Sequence, residues 1–404
     1  MAEDTSIFPP TFFQNPYPFY AQLRAAGPVV PLPDGRVLIT SHRHASAALA
    51  DRRLRVKKLW GEEQGISGPT ATADRRMMVN LDPPDHTRLR GLVSRVFTPR
   101  YIAALEPQIQ RIADGLIDTA LQHTSFDLIE SLAYPLPITV IAAMLGLPAE
   151  DHDQFRRWAQ QVVYAIIQAR MAPSADQVPR DVLAEADTVM TALREYLSVR
   201  AAERAAAPRD DLLSALVAVR DQNDRLSDDE LISMCLLLII AGHETTMNLI
   251  GNGVLALLTH PDQLALLRAQ PELIDSAVSE LLRFDSPAQI ALREIPEPIS
   301  LEEVELRAGS EALILLGSAH RDPARYEDPD RLDIRRAQID PLMFGAGIHY
   351  CLGAHLARLE TRVAIGTLLR RAPALALAPG LDPDALEWNP TLILRGLVRL
   401  PVVA

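Results

Sequence analysis

The sequence predicts a mainly α fold with a small β region, on three observations. Apolar residues recur at helical spacing from Pro83 to about Asp285, with breaks at Pro135, Pro148, Pro173 and Pro208. Residues 288–316 turn extended and β-branched in places. A second long helical pattern, Leu352 to Arg371, puts Leu352, Leu356, Leu359, Val363 and Leu368 on one face.

The elements follow in order. Asn15 to Ala26 reads as a helix. Val29–Leu32 and Arg36–Thr40 flank Pro33-Asp34-Gly35 as a small hairpin. Ser41 is placed to cap a helix running to about Asp51. Residues 59–80 have weak periodicity, with Gly61, Gly65, Gly68 and Pro69, and read as a long loop of the kind that usually serves function. Within the helical stretch, Ser227 and Glu230 form a capping box that opens a strongly apolar helix. The last thirty residues read as short strands around Pro390. No linker, repeat or charge block divides the chain, so residues 1–404 are expected to form one domain.

Composition bounds the function. The chain has 404 residues, 48% of them hydrophobic and 23% charged, enough for a large core. A formal net charge of −12 argues against nucleic acid as a bulk partner. Cys235 and Cys351 lie far apart in different contexts, so a disulfide framework is not expected and a reducing cytoplasm fits. Met1 to Tyr20 has no basic start and no apolar run, and Leu236–Ala241 is far too short to span a bilayer. The expectation is a cytoplasmic protein without a membrane anchor, acting as a monomer.

Four groups of residues carry chemistry. In Phe344-Gly-Ala-Gly-Ile-His-Tyr-Cys-Leu-Gly353, Cys351 sits in a glycine-punctuated turn at the start of a helix. The positive end of the dipole and the unpaired N–H groups there favour the thiolate. Gly345, Gly347 and Gly353 let the backbone turn tightly against something flat and large. In Ala241-Gly-His-Glu-Thr-Thr246, a glycine and two threonines interrupt an apolar helix, although Gly alone costs about 1 kcal/mol against Ala. The Thr245 hydroxyl can bond back to the Ala241 carbonyl one turn earlier and bend the helix. Glu280 and Arg283, three apart, can meet on one helix face. His86 and Arg90, four apart, share another. His243 has no second ligand at metal spacing, and Cys235 behaves as a small hydrophobe.

Phe344, Gly345, Gly347, His349, Cys351 and Gly353 all stand where the haem-binding signature of the cytochrome P-450 superfamily has them, and the chain resembles its soluble bacterial type over almost its whole length. The resemblance implies a helical bundle around a buried heme b, with Cys351 the iron's axial ligand and its thiolate pushing electron density toward O–O cleavage. It implies that His86, Arg90, Arg293 and His349 hold the propionates, since buried carboxylates demand paired cations or strong donors. It implies that Thr245 steadies activated oxygen while Glu244 helps deliver protons. Glu280, Arg283 and Arg331, the last in the run Pro329-Asp-Arg-Leu-Asp333, would be scaffold. The substrate pocket would take in the 59–80 loop, Val162–Met171, Leu237, Ala241, Ala288–Leu292 with Ile290, and the turn at Pro390–Leu394 with Leu392. Gln289 and Thr391 are its candidate polar contacts. His320, where many relatives carry Asn, is expected to affect packing only.

The implied activity is insertion of one oxygen atom from O2, by hydroxylation or epoxidation, into a hydrophobic small molecule such as a natural product, terpenoid, steroid or fatty acid. No flavin- or iron–sulfur-binding segment appears, so electrons from NAD(P)H are expected through a separate ferredoxin reductase and ferredoxin. Arg95, Arg100, Arg358 and Arg362 are placed to form a basic docking patch. Two alternatives stand beside this reading. One is an H2O2-dependent peroxygenase, which the Glu244–Thr245 pair argues against. The other is a non-catalytic haem-thiolate binding or recruitment protein.

Overall fold

The computed structural model describes residues 10–56, 67–171, 179–220 and 226–404. Helices dominate, and their centre is the Asp228–Thr259 helix. Its capping box forms as the sequence predicts: the Glu230 N–H donates to Ser227 Oγ at 3.2 Å and the Ser227 N–H to Glu230 Oε2 at 2.8 Å. The central helix packs against the helices Pro69–Arg76, Pro135–Met144, Ile274–Phe284 and Ala354–Arg371. It is the one helix among the described residues long and apolar enough to cross a membrane, yet 72% of its most apolar window is buried inside the protein. An apolar stripe on every side is what a helix needs when neighbours cover it all round.

The β region is a five-stranded sheet in the order Val29–Pro31, Val37–Ile39, Ser310–Leu315, Ile290–Ile295, Arg55–Val56. Val37–Ile39 and Ser310–Leu315 run parallel and the other pairs antiparallel. The hairpin at Pro33-Asp34-Gly35 forms where expected, with Val29 opposite Ile39. Ser41 caps the His42–Ala50 helix, its hydroxyl accepting from the His44 N–H. The C-terminal residues pair more sparsely than expected: Pro401–Val403 lies between Ser125–Asp127 and Ala376–Leu377, and isolated bridges join Ala288 to Leu394 and Trp388 to Leu397.

One element departs from the sequence reading. Within the expected 59–80 loop, Pro69–Arg76 is a helix and Met78–Asn80 a 3-10 turn, while residues 59–66, like Pro173, lie outside the described residues. Pro69 occupies the first helical turn, where its missing N–H costs nothing. A distant carboxylate, Asp187, accepts from the Thr70 N–H at 2.9 Å, and Arg76 at the other end pairs with Asp229.

His320 is fully buried, and burial, with the charges of His42, Arg283 and Arg321, pushes its pKa down to about 3. It therefore folds neutral, while an unfolded histidine titrates near 6.5. As pH falls below that value the unfolded chain takes the proton first, and stability is lost until the folded pKa is reached. We expect His320→Asn to flatten the decline in urea midpoint between pH 7 and pH 4, by up to about 1.4 kcal/mol per pH unit. An unchanged pH slope would assign the decline to other groups.

Candidate active site

The Cys351 turn owes its shape to two glycines. Gly345 (φ +71°) and Gly347 (φ +63°) lie in the left-handed region, and the Cys351 N–H donates to the Phe344 carbonyl at 2.7 Å, closing the loop. Gly353, by contrast, has an ordinary backbone and caps the Ala354–Arg371 helix, which starts two residues later than predicted. A Cβ there would meet nothing within 4 Å. Burial pushes the Cys351 thiol up from its ordinary value, against the Gly353 N–H and the Arg90 guanidinium, which pull it down. This corrects the expectation of a thiolate favoured by the helix terminus. In the polypeptide, desolvation of the anion outweighs the dipole.

Cys351 opens onto a cavity of about 350 Å³. Phe344, Gly345, His349 and Gly353 line it from the cysteine turn, His86 and Arg90 from the Asp85–Ser94 helix, and Arg293 from the sheet. Leu237, Ala241, Thr245 and Ile290 line it as well. Thr246 is a further wall residue that the sequence reading passed over, although the doubled threonine was the available signal. Met78 and Val79, from the 59–80 segment expected to line the pocket, also reach it, as does Leu212, which no sequence signal marked.

The polar wall holds two arginines and two histidines. The His86 and His349 rings lie 4.1 Å apart, and His86 Nδ1 and His349 Nε2 are buried without a hydrogen-bond partner. Among the described residues neither Arg90 nor Arg293 is paired with a carboxylate; Arg293 donates to the Leu292 carbonyl at 2.9 Å. Burial, then the charges of His86, Arg293 and Arg90, press His349 down to about 3. Burial, then Arg90, lowers His86 in the same way. Asp82, 3.9 Å from His349 Nε2, offsets part of this and was not anticipated. Buried donors without acceptors, crowded around one cavity, fit a ligand carrying two carboxylates. With a cysteine in the same wall, the donor set fits haem.

Other expected residues fall elsewhere. Glu244 is half-buried on the central helix and is not among the cavity walls, whereas its neighbour Thr245 is. The Thr245 hydroxyl donates to the Ala241 carbonyl at 2.8 Å, yet the helix runs unbroken from Asp228 to Thr259. Gln289 does not line the cavity. Its Oε1 accepts from the Tyr20 hydroxyl at 3.0 Å and its Nε2 donates to the Ser286 carbonyl at 2.7 Å. Thr391 spends its hydroxyl on Leu394, donating to the carbonyl at 2.6 Å, and Leu392 packs in the cluster of Phe12, Tyr20 and Leu313. Val162 and Ile166 are buried in the main core, and the side chains of residues 167–171 lie outside the described residues.

Beneath the site, Glu280 and Arg283 are both 0% exposed and form a bidentate pair at 2.7 and 2.8 Å. Arg331 joins only through its carbonyl, which accepts from Arg283 at 3.2 Å; its side chain is exposed. The third charged member is Arg336, whose Nε donates to Glu280 at 3.2 Å. The expected basic patch is thinner than its sequence: Arg362 pairs with Glu106 at 2.8 Å, and Arg358 lies over the Phe344 ring and donates to Ser279. Arg95 and Arg100 are exposed.

Comparison with known proteins agrees with this geometry. The family model for cytochrome P-450 matches residues 29–375. The chain is 46% identical over 409 aligned positions to the vitamin D(3) 25-hydroxylase of Pseudonocardia autotrophica, covering 99% of this chain and 96% of that protein. It is 44% identical over 399 positions to the monooxygenase PikC of Streptomyces venezuelae, covering 97% and 91%. Among solved structures, CalO2 matches with a TM-score of 0.90 at 33% identity, over 98% of this chain and 97% of that one. P450BioI, in complex with hexadec-9Z-enoic acid ligated acyl carrier protein, matches with a TM-score of 0.88 at 37% identity, over 97% and 99%. A haem-ready cavity walled by a cysteine, within a chain matched along almost its whole length, makes this protein a member of the cytochrome P-450 family.

Proposed function

We propose that the cavity binds heme b with Cys351 as axial ligand and His86, Arg90, Arg293 and His349 on the propionates, and that it oxidises a hydrophobic small molecule. The observation that carries this reading is the sharing of one cavity by Cys351, Arg90, Arg293, Thr245 and two histidines, each with a buried ring nitrogen that lacks a hydrogen-bond partner. When bound, the haem supplies O2 binding, reduction and oxygen transfer. The apolar walls, Leu237, Ala241 and Ile290 among them, would exclude water and hold the substrate by contact. Thr245, with its hydroxyl anchored to Ala241, would hold a proton donor at the cavity edge, and Glu244, behind it, would resupply that proton. The reduced protein with carbon monoxide should give the strongly red-shifted Soret band of thiolate ligation; an unshifted band would refute Cys351 as ligand. Vitamin D(3) and hexadec-9Z-enoic acid are the first compounds to screen by spin-state shift, since one relative is a vitamin D(3) 25-hydroxylase and P450BioI is in complex with an acyl carrier protein ligated to the other.

Thr245→Ala should divert electrons to hydrogen peroxide, lowering product per NAD(P)H on the order of tenfold while leaving the Soret band intact. Undiminished product per NAD(P)H would remove Thr245 from proton delivery.

Electrons would come from NAD(P)H through a ferredoxin and its reductase, in the cytoplasm, to a single-domain monomer. Because Arg358 and Arg362 are engaged within the protein, Arg95 and Arg100 are the better docking cations. Charge reversal at either should slow reduction by an acidic ferredoxin at low salt, with the difference fading as salt screens it. Equal reduction rates at low salt would count against docking there.

A further inference from the structure

A second cleft, of about 470 Å³, lies apart from the haem cavity and shares no lining residue with it. Its walls are the helices Glu106–Ala120, Pro261–Ala269 and Ala354–Arg371, the last of which follows the Cys351 turn. The floor is apolar: Leu267, Val363 and Leu369 are buried there, and Ile274 joins them. Three arginines, Arg268, Arg362 and Arg370, line it against one carboxylate, Glu106, in a chain whose formal net charge is −12. Arg362 is balanced, by Glu106 at 2.8 Å and by Asp275 at 3.8 Å. Arg268 and Arg370 are exposed, and among the described residues neither meets a carboxylate. Each makes one long hydrogen bond, Arg268 to the Leu375 carbonyl and Arg370 to the Thr367 hydroxyl, both at 3.4 Å. Gly366 is an independent sign. It stands inside the Ala354–Arg371 helix, where glycine is less favourable than alanine. Its backbone is not left-handed, and a Cβ there would meet only Ile274 Cγ1, at 3.9 Å, so neither conformation nor packing calls for glycine. What the missing side chain does is leave the floor of the cleft open.

We propose that this cleft is a second ligand site, which takes a small amphipathic carboxylate, with the apolar body on the floor and the carboxylate held by Arg268 and Arg370. The volume suits such a molecule, since small-molecule sites run from about 300 to 1,000 Å³. A guanidinium presents a planar fork of donors that matches a carboxylate, and two such forks stand here without an anion. A neutral apolar molecule would use the floor and leave the arginines idle. An inorganic anion would use the arginines and leave the floor wet. Only a ligand with both parts engages the whole lining. The site is independent of the haem assignment, because none of its residues lines the cysteine cavity.

The test is calorimetric titration of the haem-loaded protein with 2-naphthoate, a flat apolar body bearing one carboxylate. Saturating 4-phenylimidazole keeps the haem cavity filled, so the heat reports binding elsewhere. Saturable binding at one site is expected. Arg268→Glu with Arg370→Glu should weaken it on the order of tenfold or more. The uncharged analogue 2-naphthylmethanol should bind the parent protein more weakly by a similar factor. Gly366→Leu, which fills the floor, should abolish binding. Gly366→Ala should raise the urea midpoint, as an unneeded helical glycine predicts. The exposed arginines can be changed without touching the core, so they carry the test if Gly366→Leu fails to fold. No saturable binding at millimolar 2-naphthoate would overturn the site. Equal affinity in the arginine variant, or for the alcohol and the acid, would overturn its preference for an anion. A lower urea midpoint in Gly366→Ala would return that glycine to the fold and count against an open floor kept for a ligand.

Discussion

Cys351→Ser should yield a protein that still takes up haem yet loses the red-shifted band of the reduced carbon monoxide complex, together with all O2-dependent oxidation. The separation of the two properties follows from the division of the cavity wall. On the proposed assignment, haem retention would draw on His86, Arg90, Arg293 and His349, which line the cavity from three different segments. The electronic property needs an anionic sulfur, and a serine hydroxyl cannot ionise in its place. The polypeptide by itself does not favour the anion, because burial lifts the Cys351 pKa. A thiolate at Cys351 would therefore owe its stability to the metal it binds, as ligand thiols generally do. The converse variant, Arg293→Leu with Arg90→Leu, should lower haem content after gel filtration while the haem that remains keeps the red-shifted band. Parallel loss of both properties in both variants would mean that the cysteine turn and the polar wall fold as one unit, and the division would fall.

Local chemistry was legible in the sequence, and what depends on distant partners was not. The Ser227–Glu230 box, the Ser41 cap, the Thr245–Ala241 bond and the Glu280–Arg283 pair all lie within four residues, and each forms as its spacing dictates. The Pro69–Arg76 helix was hidden because Gly68 and Pro69 punctuate loops, while the carboxylate that receives its Thr70 N–H lies 117 residues away. Gln289 misses the cavity because its amide is spent on Tyr20 and Ser286, partners 269 and three residues away, of which only the nearer could be read locally. Arg336 rather than Arg331 reaches Glu280 because the intervening segment has no helical or strand period to predict direction. The Cys351 thiol was misjudged for a related reason: the dipole is visible in a sequence, but the competing desolvation is set by residues from the whole chain.

Glu280→Ala should cost about 3–5 kcal/mol, a large share of the 5–15 kcal/mol typical of a folded domain, and yield little soluble protein. The reason lies in what is left behind. Arg283 is 0% exposed and would keep its charge among the carbonyls of His320, Pro329 and Arg331, with no anion to balance it. Arg336 would lose its carboxylate and the Asp333 N–H its acceptor at the same stroke. Glu280→Gln, which keeps an acceptor for the Asp333 N–H, should cost less than Glu280→Ala, and the difference isolates the hydrogen bond from the charge. Removing both partners often rescues a buried ion pair, because well-packed apolar groups need no solvation. Here the rescue should be partial. Arg283 satisfies the buried His320 carbonyl and the partly buried carbonyls of Pro329 and Arg331, and Glu280→Leu with Arg283→Leu would strand that of His320. Urea unfolding of the two single variants and the double variant, followed by far-UV circular dichroism, measures the coupling. A double variant as stable as the parent would show that the pair is replaceable filler. A double variant as unstable as Glu280→Ala would place the loss in the carbonyls rather than in the unpaired charge.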